Sequence, residues 1–160
     1  MVVADFVVRQ ARVADGRALA KLFAAVAEEH DGIATESPVD IDQRAAQFAR
    51  SADASIVAVA GGKIIGGIHV EASRHGFGEF GMMVDRAWRG RGVGTALVMA
   101  AIEWSRDQGL HKLCLEVFPH NTAGIALYAK CGFVEEGRRI GQYRRTSGEL
   151  WDSVVMGLLL

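Results

Sequence analysis

The chain has 160 residues, of which 50% are hydrophobic and 23% charged, and its net charge is −1. This length and composition predict one globular domain, 1–160, and exclude a disordered chain. The balanced charge argues against nucleic-acid binding, and no apolar stretch reaches the length of a membrane span. The N-terminus lacks the layout of a signal peptide, and Cys114 and Cys131 do not have the spacing of metal ligands. We therefore expect a cytoplasmic protein with no metal.

The first third of the chain predicts a strand followed by two helices. Residues 4–12 alternate between apolar and polar side chains, as a half-buried strand does. Asp15 is a favoured helix N-cap, and a helical apolar stripe follows it and ends near residues 30–32. The stripe consists of Leu19, Leu22, Phe23 and Val26. A loop over 33–40 and a short helix over 40–50 come next.

The rest of the chain predicts a sheet interrupted by two helices. Two strands within 55–73 meet at Gly61-Gly62, which is a hairpin signal, and a third strand covers 75–84. A helix then runs to 108–109, followed by a strand at 113–118, a helix at 121–130 and two strands around Ser147-Gly148. The order β-α-α-β-β-β-α-β-α-β-β predicts a single three-layer α/β domain. Its mixed sheet is antiparallel in the N-terminal half, with helices on both faces.

The segment VDRAWRGRGVGTAL, residues 84–97, runs from a strand end through a glycine-rich turn into a helix. The glycines let a ligand approach the backbone, and free N–H groups at a helix start attract anions. Arg89 and Arg91 add charge that can pair with phosphate oxygens. The spacing matches neither a Walker loop nor a dinucleotide fingerprint, and a diphosphate is the expected ligand. The candidate binding residues are Arg89, Gly90, Arg91, Gly92, Val93, Gly94 and Thr95.

Two motifs in this chain resemble those of one enzyme superfamily. Arg89-x-x-Gly92-x-Gly94 resembles the acetyl-CoA pyrophosphate loop of the GNAT N-acetyltransferases. About thirty residues later, Asn121, Ala126-Leu127-Tyr128 and Gly132-Phe133 follow in the order found in many members. The resemblance spans essentially the whole chain. Its C-terminal part looks most like the branches that acetylate small amines, amino acids or polyamines, and the block from Asn121 to Tyr128 also resembles the ribosomal-protein acetyltransferases.

The resemblance implies the GNAT fold, with a mostly antiparallel sheet in which two parallel strands splay apart to hold the pantetheine arm. It implies acetyl-CoA as cosubstrate and no metal. The expected reaction is transfer of the acetyl group to a primary amine of a small molecule, by direct attack in a ternary complex. One alternative is acetylation of a protein N-terminus. Another alternative, of a different class, is a non-catalytic sensor that binds acyl-CoA and does not transfer the acyl group.

Two side chains are the expected catalytic residues. An alkylammonium is only about one part in 2,500 neutral at pH 7, which costs roughly 4.6 kcal/mol, so a general base helps. Glu79, on the strand that leads into the glycine loop, is the expected base, directly or through water; His69 and His75 are alternatives. By resemblance, Tyr128 is the general acid for the departing thiolate. The competing interpretation of Tyr128 is a packing aromatic residue.

Further cofactor contacts are implied around these residues. Asn121 stands at a strand-to-helix junction, where it is a favoured N-cap and by resemblance also binds the pantetheine arm. Backbone N–H groups at Met82, Met83 and Val84 are the expected oxyanion and pantetheine donors. Cys131 ends a helix with no nearby His, so we expect a small buried thiol rather than a nucleophile.

The acceptor amine is not determined by the sequence. By resemblance, the first two helices and the last hairpin line its side, where Tyr143 and Trp151 could contact it. An acidic rim there suits a cationic amine, and a solvated helix face explains it equally well. The rim consists of Glu28, Glu29, His30, Asp31, Glu36, Asp40 and Asp42.

Two expectations concern the C-terminal part of the chain. The arginines at 138, 139, 144 and 145 predict a solvated hairpin face. The apolar segment LWDSVVMGLLL would leave a face or an edge that needs cover, which favours a homodimer. The alternative is that its last leucines cap the core of their own domain.

Overall fold

The computed structural model describes residues 5–160 and contains seven strands and four α-helices within that range. The strands are β1 (Val7–Gln10), β2 (Ser55–Ala60), β3 (Lys63–Ala72), β4 (Phe77–Val84), β5 (Lys112–Val117), β6 (Val134–Arg144) and β7 (Leu150–Leu159). The helices are α1 (Gly16–Ala27), α2 (Ile41–Arg50), α3 (Val93–Asp107) and α4 (Thr122–Lys130). The predicted order of strands and helices is confirmed. The first strand is shorter than the expected 4–12 because only residues 7–10 pair with β2, and residue 4 lies outside the described range.

One seven-stranded sheet forms the centre of the domain, in the order β1-β2-β3-β4-β5-β7-β6. Its neighbours are antiparallel except for β4 and β5, which are parallel. The mixed, mostly antiparallel sheet that the sequence predicts is therefore confirmed. Helix α3 packs on one face through Leu97, Val98 and Ala101, and α1 packs on the other through Leu19 and Val26. These faces form the expected three layers.

Strands β4 and β5 separate soon after they begin. Their parallel pairing covers only Phe77–Glu79 against Lys112–Cys114, although β4 continues to Val84 and β5 to Val117. Phe80, the first residue after the last pair, packs edge-on against Tyr128 and Phe133. The divergence opens a gap in the middle of the sheet, at the carboxyl ends of two neighbouring parallel strands.

The C-terminal strand is not an edge of the sheet. Strand β7 pairs with β5 on one side and β6 on the other, so the open edge belongs to β6. Leu158 and Leu160 pack against the core, whereas Leu159 is 75% exposed. The expectation that β7 itself leaves an edge to cover is wrong, because the last hairpin returns β6 along its outer side. Among residues 5–160, no helix is both long and apolar enough to cross a membrane.

Candidate active site

A cavity of about 680 Å³ extends from the gap between β4 and β5. One end of it reaches the glycine-rich turn at Arg89, Gly90 and Gly94, and α4 contributes Asn121 and Tyr128 along one wall. The opposite end is bounded by α1, α2, the start of β2 and the middle of β3. The sheet divergence therefore joins the candidate phosphate loop to a second, largely apolar chamber.

The glycine-rich turn ends in the first turn of α3. Gly92 is the N-cap, with a left-handed φ of 85°, which favours glycine. The first intrahelical bond runs from Ala96 N to Gly92 O at 3.1 Å, so the N–H groups of Val93, Gly94 and Thr95 have no partner within the helix. No side chain caps this end among the described residues. Free N–H groups and the positive end of the helix dipole make it a phosphate-binding geometry.

Gly94 serves the close packing of α3 against α4. A Cβ atom at this position would lie 2.8 Å from Cδ1 of Leu127, so a larger residue would displace that side chain. Beside them lies a small recess formed by both helices, with Gly92, Thr95 and Lys130 on its walls. The ammonium group of Lys130 adds a positive charge to the phosphate end. Sequence reasoning missed Lys130 because it looks like an ordinary charged residue in the last turn of a helix.

The two arginines of the turn are already engaged. The Arg89 guanidinium makes two bonds of 2.7 Å to the Glu29 carboxylate, and its Nε donates to Val84 O at 3.1 Å. This ion pair lowers the pKa of Glu29 and raises that of Arg89. Arg91 stacks on Trp88 with 3.9 Å from Cζ to the ring centroid, and it contacts Asp5. That these arginines can pair with phosphate oxygens stays a prediction, and in this structure both guanidinium groups hold the loop.

Strand β4 presents backbone donors to the gap. Asp85 N donates to Ile65 O on β3 at 2.8 Å, and alternate residues of a strand direct their N–H groups to the same neighbour. The N–H of Met83 therefore points to β3, while those of Met82 and Val84 point into the gap, where β5 has moved away. All three residues line the cavity. Met82 and Val84 carry the donors, and Met83 contributes its buried side chain.

Tyr128 lines the cavity from α4 and is 8% exposed. Its ring packs edge-on against Phe80 at 5.7 Å and Phe133 at 6.2 Å between centroids. Burial raises the pKa of Tyr128 to about 12, so the phenol stays protonated at neutral pH. Within residues 5–160 its hydroxyl has no hydrogen-bond partner, and it is therefore available as a donor to a ligand.

Asn121 is the N-cap of α4, as its position predicts. Its Oδ1 accepts from Gly124 N at 2.9 Å. A Cβ at Gly124 would lie 2.7 Å from Asn121 Nδ2, so glycine there makes room for the cap. Because Asn121 also lines the cavity, its amide N–H groups remain available to a ligand while the oxygen caps the helix.

The candidate bases lie in different places. Glu79 is exposed, pairs with Cys114 at the closed end of the gap and is not among the cavity-lining residues of the described chain. His75 is exposed in the β3–β4 turn, also away from the lining residues. His69, which the sequence offers only as an alternative, lines the cavity from β3. The structure therefore brings one of the three into the chamber.

A hydrogen-bond chain selects one tautomer of the neutral His69 ring. Ser55 Oγ donates its single hydrogen to Ser51 O at 2.8 Å, so the contact of 3.1 Å to His69 requires Nδ1–H as donor. In the neutral ring the other nitrogen, Nε2, is then an acceptor. This chain could not be read from sequence, because Ser55 and His69 lie on two different strands that pair opposite each other.

Glu116 is a cavity residue that sequence reasoning missed. It lies on β5, and its carboxylate accepts from Ser153 Oγ at 2.6 Å and Tyr143 OH at 3.1 Å. Arg139 contacts the same group at 3.7 Å. The alternation of LCLEVF shows a polar residue on one face of the strand, but not that this face borders the cavity.

The acidic rim is largely committed to internal contacts. Glu29 pairs with Arg89, Asp31 contacts His120 at 2.8 Å, and Glu36 accepts from Thr146. Asp40 caps α2, and Asp42 pairs with Arg17. Only Glu29 and Asp31 of this set line the cavity. These carboxylates hold the segment between α1 and α2 in place.

Arg145 contradicts the expectation of a fully solvated hairpin. It is 4% exposed and donates to Ala34 O at 2.9 Å and His30 O at 3.4 Å. Its guanidinium also lies 4.3 Å from the ring centroid of Trp151. The hairpin end is thereby fixed to the α1–α2 loop. The expectation failed because its partners lie more than a hundred residues earlier in the chain.

The cysteines are partly buried free thiols. Burial raises the pKa of Cys131 and of Cys114 above the ordinary thiol value. Neither residue lines the cavity. In the described range, no three His, Cys, Asp or Glu side chains are grouped so that they could hold a metal ion.

Residues 16–133 match the acetyltransferase (GNAT) family. The match covers most of the domain, from the start of α1 through the glycine loop to the end of α4. The chain belongs to this family. It is therefore an N-acetyltransferase, as the two sequence motifs predict, and the expected fold is confirmed.

Similar proteins act on several amines. The L-methionine sulfoximine/L-methionine sulfone acetyltransferase of Pseudomonas aeruginosa is 32% identical over 146 residues, 84% of this chain and 85% of that protein. The L-amino acid N-acetyltransferase AaaT of Escherichia coli is 28% identical, over 95% of this chain and 96% of its own. Glucosamine 6-phosphate N-acetyltransferase 1 of rice is 40% identical over only 62 residues, and the match spans 36% of that protein.

Solved structures have the same fold. Ribosomal-protein-alanine N-acetyltransferase from Brucella melitensis superposes with a TM-score of 0.88 at 26% identity, over 96% of this chain and 99% of that one. The acetyltransferase yncA from Salmonella typhimurium, solved with acetyl-CoA, gives a TM-score of 0.87 at 22% identity, over 98% and 94% of the two chains.

The glycine loop leads to a first prediction. Gly92→Val forces a β-branched residue into a left-handed conformation, and Gly94→Val clashes with Leu127. Either change should weaken acetyl-CoA binding at least roughly tenfold by calorimetry, because the loss of one charge-assisted hydrogen bond to phosphate is of that size. Gly62→Val is the matched control, since Gly62 has a φ of 76° in the β2–β3 turn, outside the cavity lining. Unchanged affinity in both loop variants would contradict the assignment.

Proposed function

We propose that this enzyme transfers the acetyl group of acetyl-CoA to the primary amine of a small, amino-acid-like molecule, within a ternary complex. The observation that carries the proposal is a single cavity that joins the open N-terminus of α3 to Tyr128 and to a separate chamber under α1 and α2. The full-length resemblance to amino-acid acetyltransferases supports the acceptor class. The free thiols of Cys114 and Cys131 suit a reducing compartment such as the cytoplasm.

Binding of acetyl-CoA uses three groups of this chain. The diphosphate takes the N–H groups of Val93, Gly94 and Thr95, next to Lys130. The pantetheine arm runs along the unpaired side of β4 and reaches the amide of Asn121. The thioester carbonyl oxygen then accepts from the N–H groups directed into the gap, which stabilise the oxyanion that develops during attack.

Transfer proceeds by direct attack. The neutral amine nitrogen bonds to the thioester carbonyl carbon, the tetrahedral intermediate collapses, and the C–S bond breaks to leave a thiolate. Tyr128 donates its hydroxyl hydrogen to the departing sulfur. Because the pKa of Tyr128 lies far above that of a thiol, Tyr128 contributes mainly a hydrogen bond to the developing thiolate. Proton transfer to the sulfur is completed when the acceptor nitrogen gives up its proton.

Glu79 is proposed to remove the proton of the acceptor ammonium through water. Glu79 is exposed at the closed end of the gap, which leaves space for such a water. Because the water carries the proton, the Glu79 carboxylate does not have to contact the acceptor amine directly. His69 is the competing base, since its Nε2 is a free acceptor in the neutral ring and the residue lines the chamber. The pH profiles of kcat/KM for variants of Glu79 and His69 distinguish these two candidate bases.

Acetylation of a protein N-terminus is the second candidate function. It is favoured by the similarity to the Brucella ribosomal-protein-alanine N-acetyltransferase, which covers nearly the whole of both chains. Against it, Arg145 holds the α1–α2 loop to the β6–β7 hairpin, and the Asp31–His120 contact holds the same loop to the β5–α4 connection, both across the acceptor end. A sensor without turnover is disfavoured by the unpaired hydroxyl of Tyr128 in the cavity wall.

We also propose a homodimer through the open edge of β6. Ile140 is 77% exposed and Val134 63% exposed on this strand, which has a partner on one side only in the described chain. Two exposed apolar side chains on an unpaired edge strand of eleven residues form a surface that a second copy of the chain can cover.

The activity itself is tested by thiol release from acetyl-CoA with amino acids, simple amines and peptides. Release with at least one small amine is expected for the wild type. Tyr128→Phe should lower kcat roughly ten- to thousandfold with little change in acetyl-CoA affinity. The loss should be constant between about pH 6 and 9, because Tyr128 titrates near 12. A thermal midpoint like that of the wild type controls for the buried ring. No thiol release with any amine would contradict the function, and an unchanged kcat would leave Tyr128 a packing residue.

The base is identified by pH profiles of kcat/KM. Glu79→Gln should depress the value at neutral pH, and the defect should shrink toward about pH 10, where the free amine becomes abundant. Glu71→Gln is the matched control, because Glu71 is exposed directly across from Glu79 on β3. If His69→Gln shows this profile and Glu79→Gln follows the control, the base is His69 instead.

The dimer is tested by light scattering at micromolar concentration. We expect a mass near twice the 17.2 kDa of one chain. Ile140→Asp should reduce the mass to that of one chain. Val13→Asp is the control and should leave the mass unchanged, because Val13 is 71% exposed and does not lie on β6. A wild-type mass of one chain would exclude the dimer.

A further inference from the structure

The chamber under α1 and α2 has a guanidinium group in its wall. Arg44 projects from α2, is half-buried and lines the cavity. Its Cζ lies 4.2 Å from the ring centroid of Phe23, and that ring packs edge-on against Phe48 at 6.0 Å. Stacking on one face fixes the plane of the guanidinium and leaves the N–H groups at its edge available.

Arg44 is unpaired in a cavity where the other charges have partners. Three carboxylates line the same cavity, and each is engaged: Glu29 with Arg89, Asp31 with His120, and Glu116 with Ser153 and Tyr143. The acidic residues of its own helix are also used. Asp40 accepts from Gln43 N, and Asp42 pairs with Arg17. Within residues 5–160, Arg44 has no carboxylate within 4 Å.

A half-buried guanidinium group without a carboxylate partner is a candidate binding site for an anion. Partial burial removes some of the water that solvates the guanidinium, and an entering carboxylate restores that interaction through two parallel N–H···O bonds. The phosphates of acetyl-CoA do not need this residue, because their site is at the N-terminus of α3 and Lys130, at the other end of the cavity. The anion that meets Arg44 therefore belongs to the acceptor.

The wall formed by β5 and β7 carries the opposite charge. The Glu116 carboxylate receives its close hydrogen bonds from two neutral hydroxyl groups, and Arg139 is farther away at 3.7 Å. One chamber thus offers a cation on α2 and an anion on β5. A zwitterion with a carboxylate and an ammonium group complements both charges in sign, whereas a simple alkylamine complements only the second.

We propose that Arg44 binds the carboxylate of an α-amino acid acceptor and selects amino acids over amines that lack this group. This inference rests on the proposed function. Phe23, Phe48 and Ile33 give the chamber apolar walls beside Arg44, which suit an uncharged side chain. Arg44 is a specificity-determining residue in this assignment, and the chemistry of acetyl transfer does not pass through it.

The test compares each amino acid with its own carboxamide. L-Leucine and L-methionine sulfone are assayed beside leucinamide and methionine sulfone carboxamide, which have the same side chains and no carboxylate, and the effect of each substitution is taken as the ratio to the wild type on the same substrate. The wild type should prefer the acids. Arg44→Gln should lower kcat/KM for the acids about ten- to hundredfold, mainly through KM, because a charge-assisted hydrogen-bond pair is lost. For the amides, kcat/KM should change less than about twofold, because a neutral carboxamide interacts only weakly with the guanidinium that the substitution removes.

Three controls separate recognition from structure. Arg50→Gln changes an exposed arginine of the same helix, outside the cavity lining, and should behave like the wild type. Arg44→Lys retains the charge and should recover part of the preference. Arg44→Met preserves the apolar stem over Phe23, and it replaces the glutamine variant if that one is unstable. Thermal midpoint and acetyl-CoA affinity are measured for every variant.

The outcomes distinguish the inference from the function on which it rests. Equal losses for acids and amides would make Arg44 a packing residue, and no loss for either would remove it from recognition; both overturn the inference. Acetylation confined to amines without a carboxylate would also overturn it and leave the N-acetyltransferase activity standing. No thiol release with any amine would instead contradict the proposed function.

Discussion

The separation of β4 from β5 is the constraint on which the site depends. Parallel pairing stops after Glu79 and Cys114, and each strand continues for several more residues without the other. A continuous ladder would satisfy the N–H groups of Met82 and Val84 with β5 and would close the cavity. Backbone donors that face an interior must find a partner. In this sheet the gap reserves them for a ligand that enters between the strands.

The phosphate end of the cavity is held by contacts from three parts of the chain. Gly92 lets the turn begin α3, and Gly94 lets that helix lie against Leu127 of α4. The Arg89–Glu29 pair then connects the turn to the end of α1, while Arg89 Nε donates a hydrogen bond to the last carbonyl of β4. The geometry for anion binding is therefore set by packing and ion pairing before any phosphate arrives, which reduces the entropy lost on binding.

Local patterns predicted the fold and the helix start at the glycine-rich turn. Hydrophobic periodicity, capping residues and the Gly61-Gly62 turn act over a few residues, so they identified every strand and helix in order. The glycine turn and the Asn121 cap are also local features. Strand alternation, by contrast, assigns a residue to a face without saying what covers that face. It could not show that Glu116 and His69 border the cavity or that Glu79 lies outside its lining.

The contacts of several charged residues could not be predicted from local patterns, because their partners lie far away in the chain. Arg89 meets Glu29 sixty residues earlier, and Arg145 donates to carbonyl groups more than a hundred residues earlier. A charged residue looks the same in a sequence whether it is solvated, paired or held in a wall. Only the tertiary contacts decide which of these applies, and they are not encoded in any local pattern.

The buried guanidinium of Arg145 makes the acceptor end a composite of two segments. It lies against the aromatic rings of Phe118 and Trp151 and holds the backbone of the α1–α2 loop through the carbonyls of Ala34 and His30. Neither segment keeps its shape independently of the other, because each supplies half of these bonds. Such an arrangement limits how the enzyme can diversify: a loop transplanted from a relative would bring carbonyls in new places, and the hairpin would have to change in the same step. Substrate range in this chain is thus a property of two regions that must evolve together.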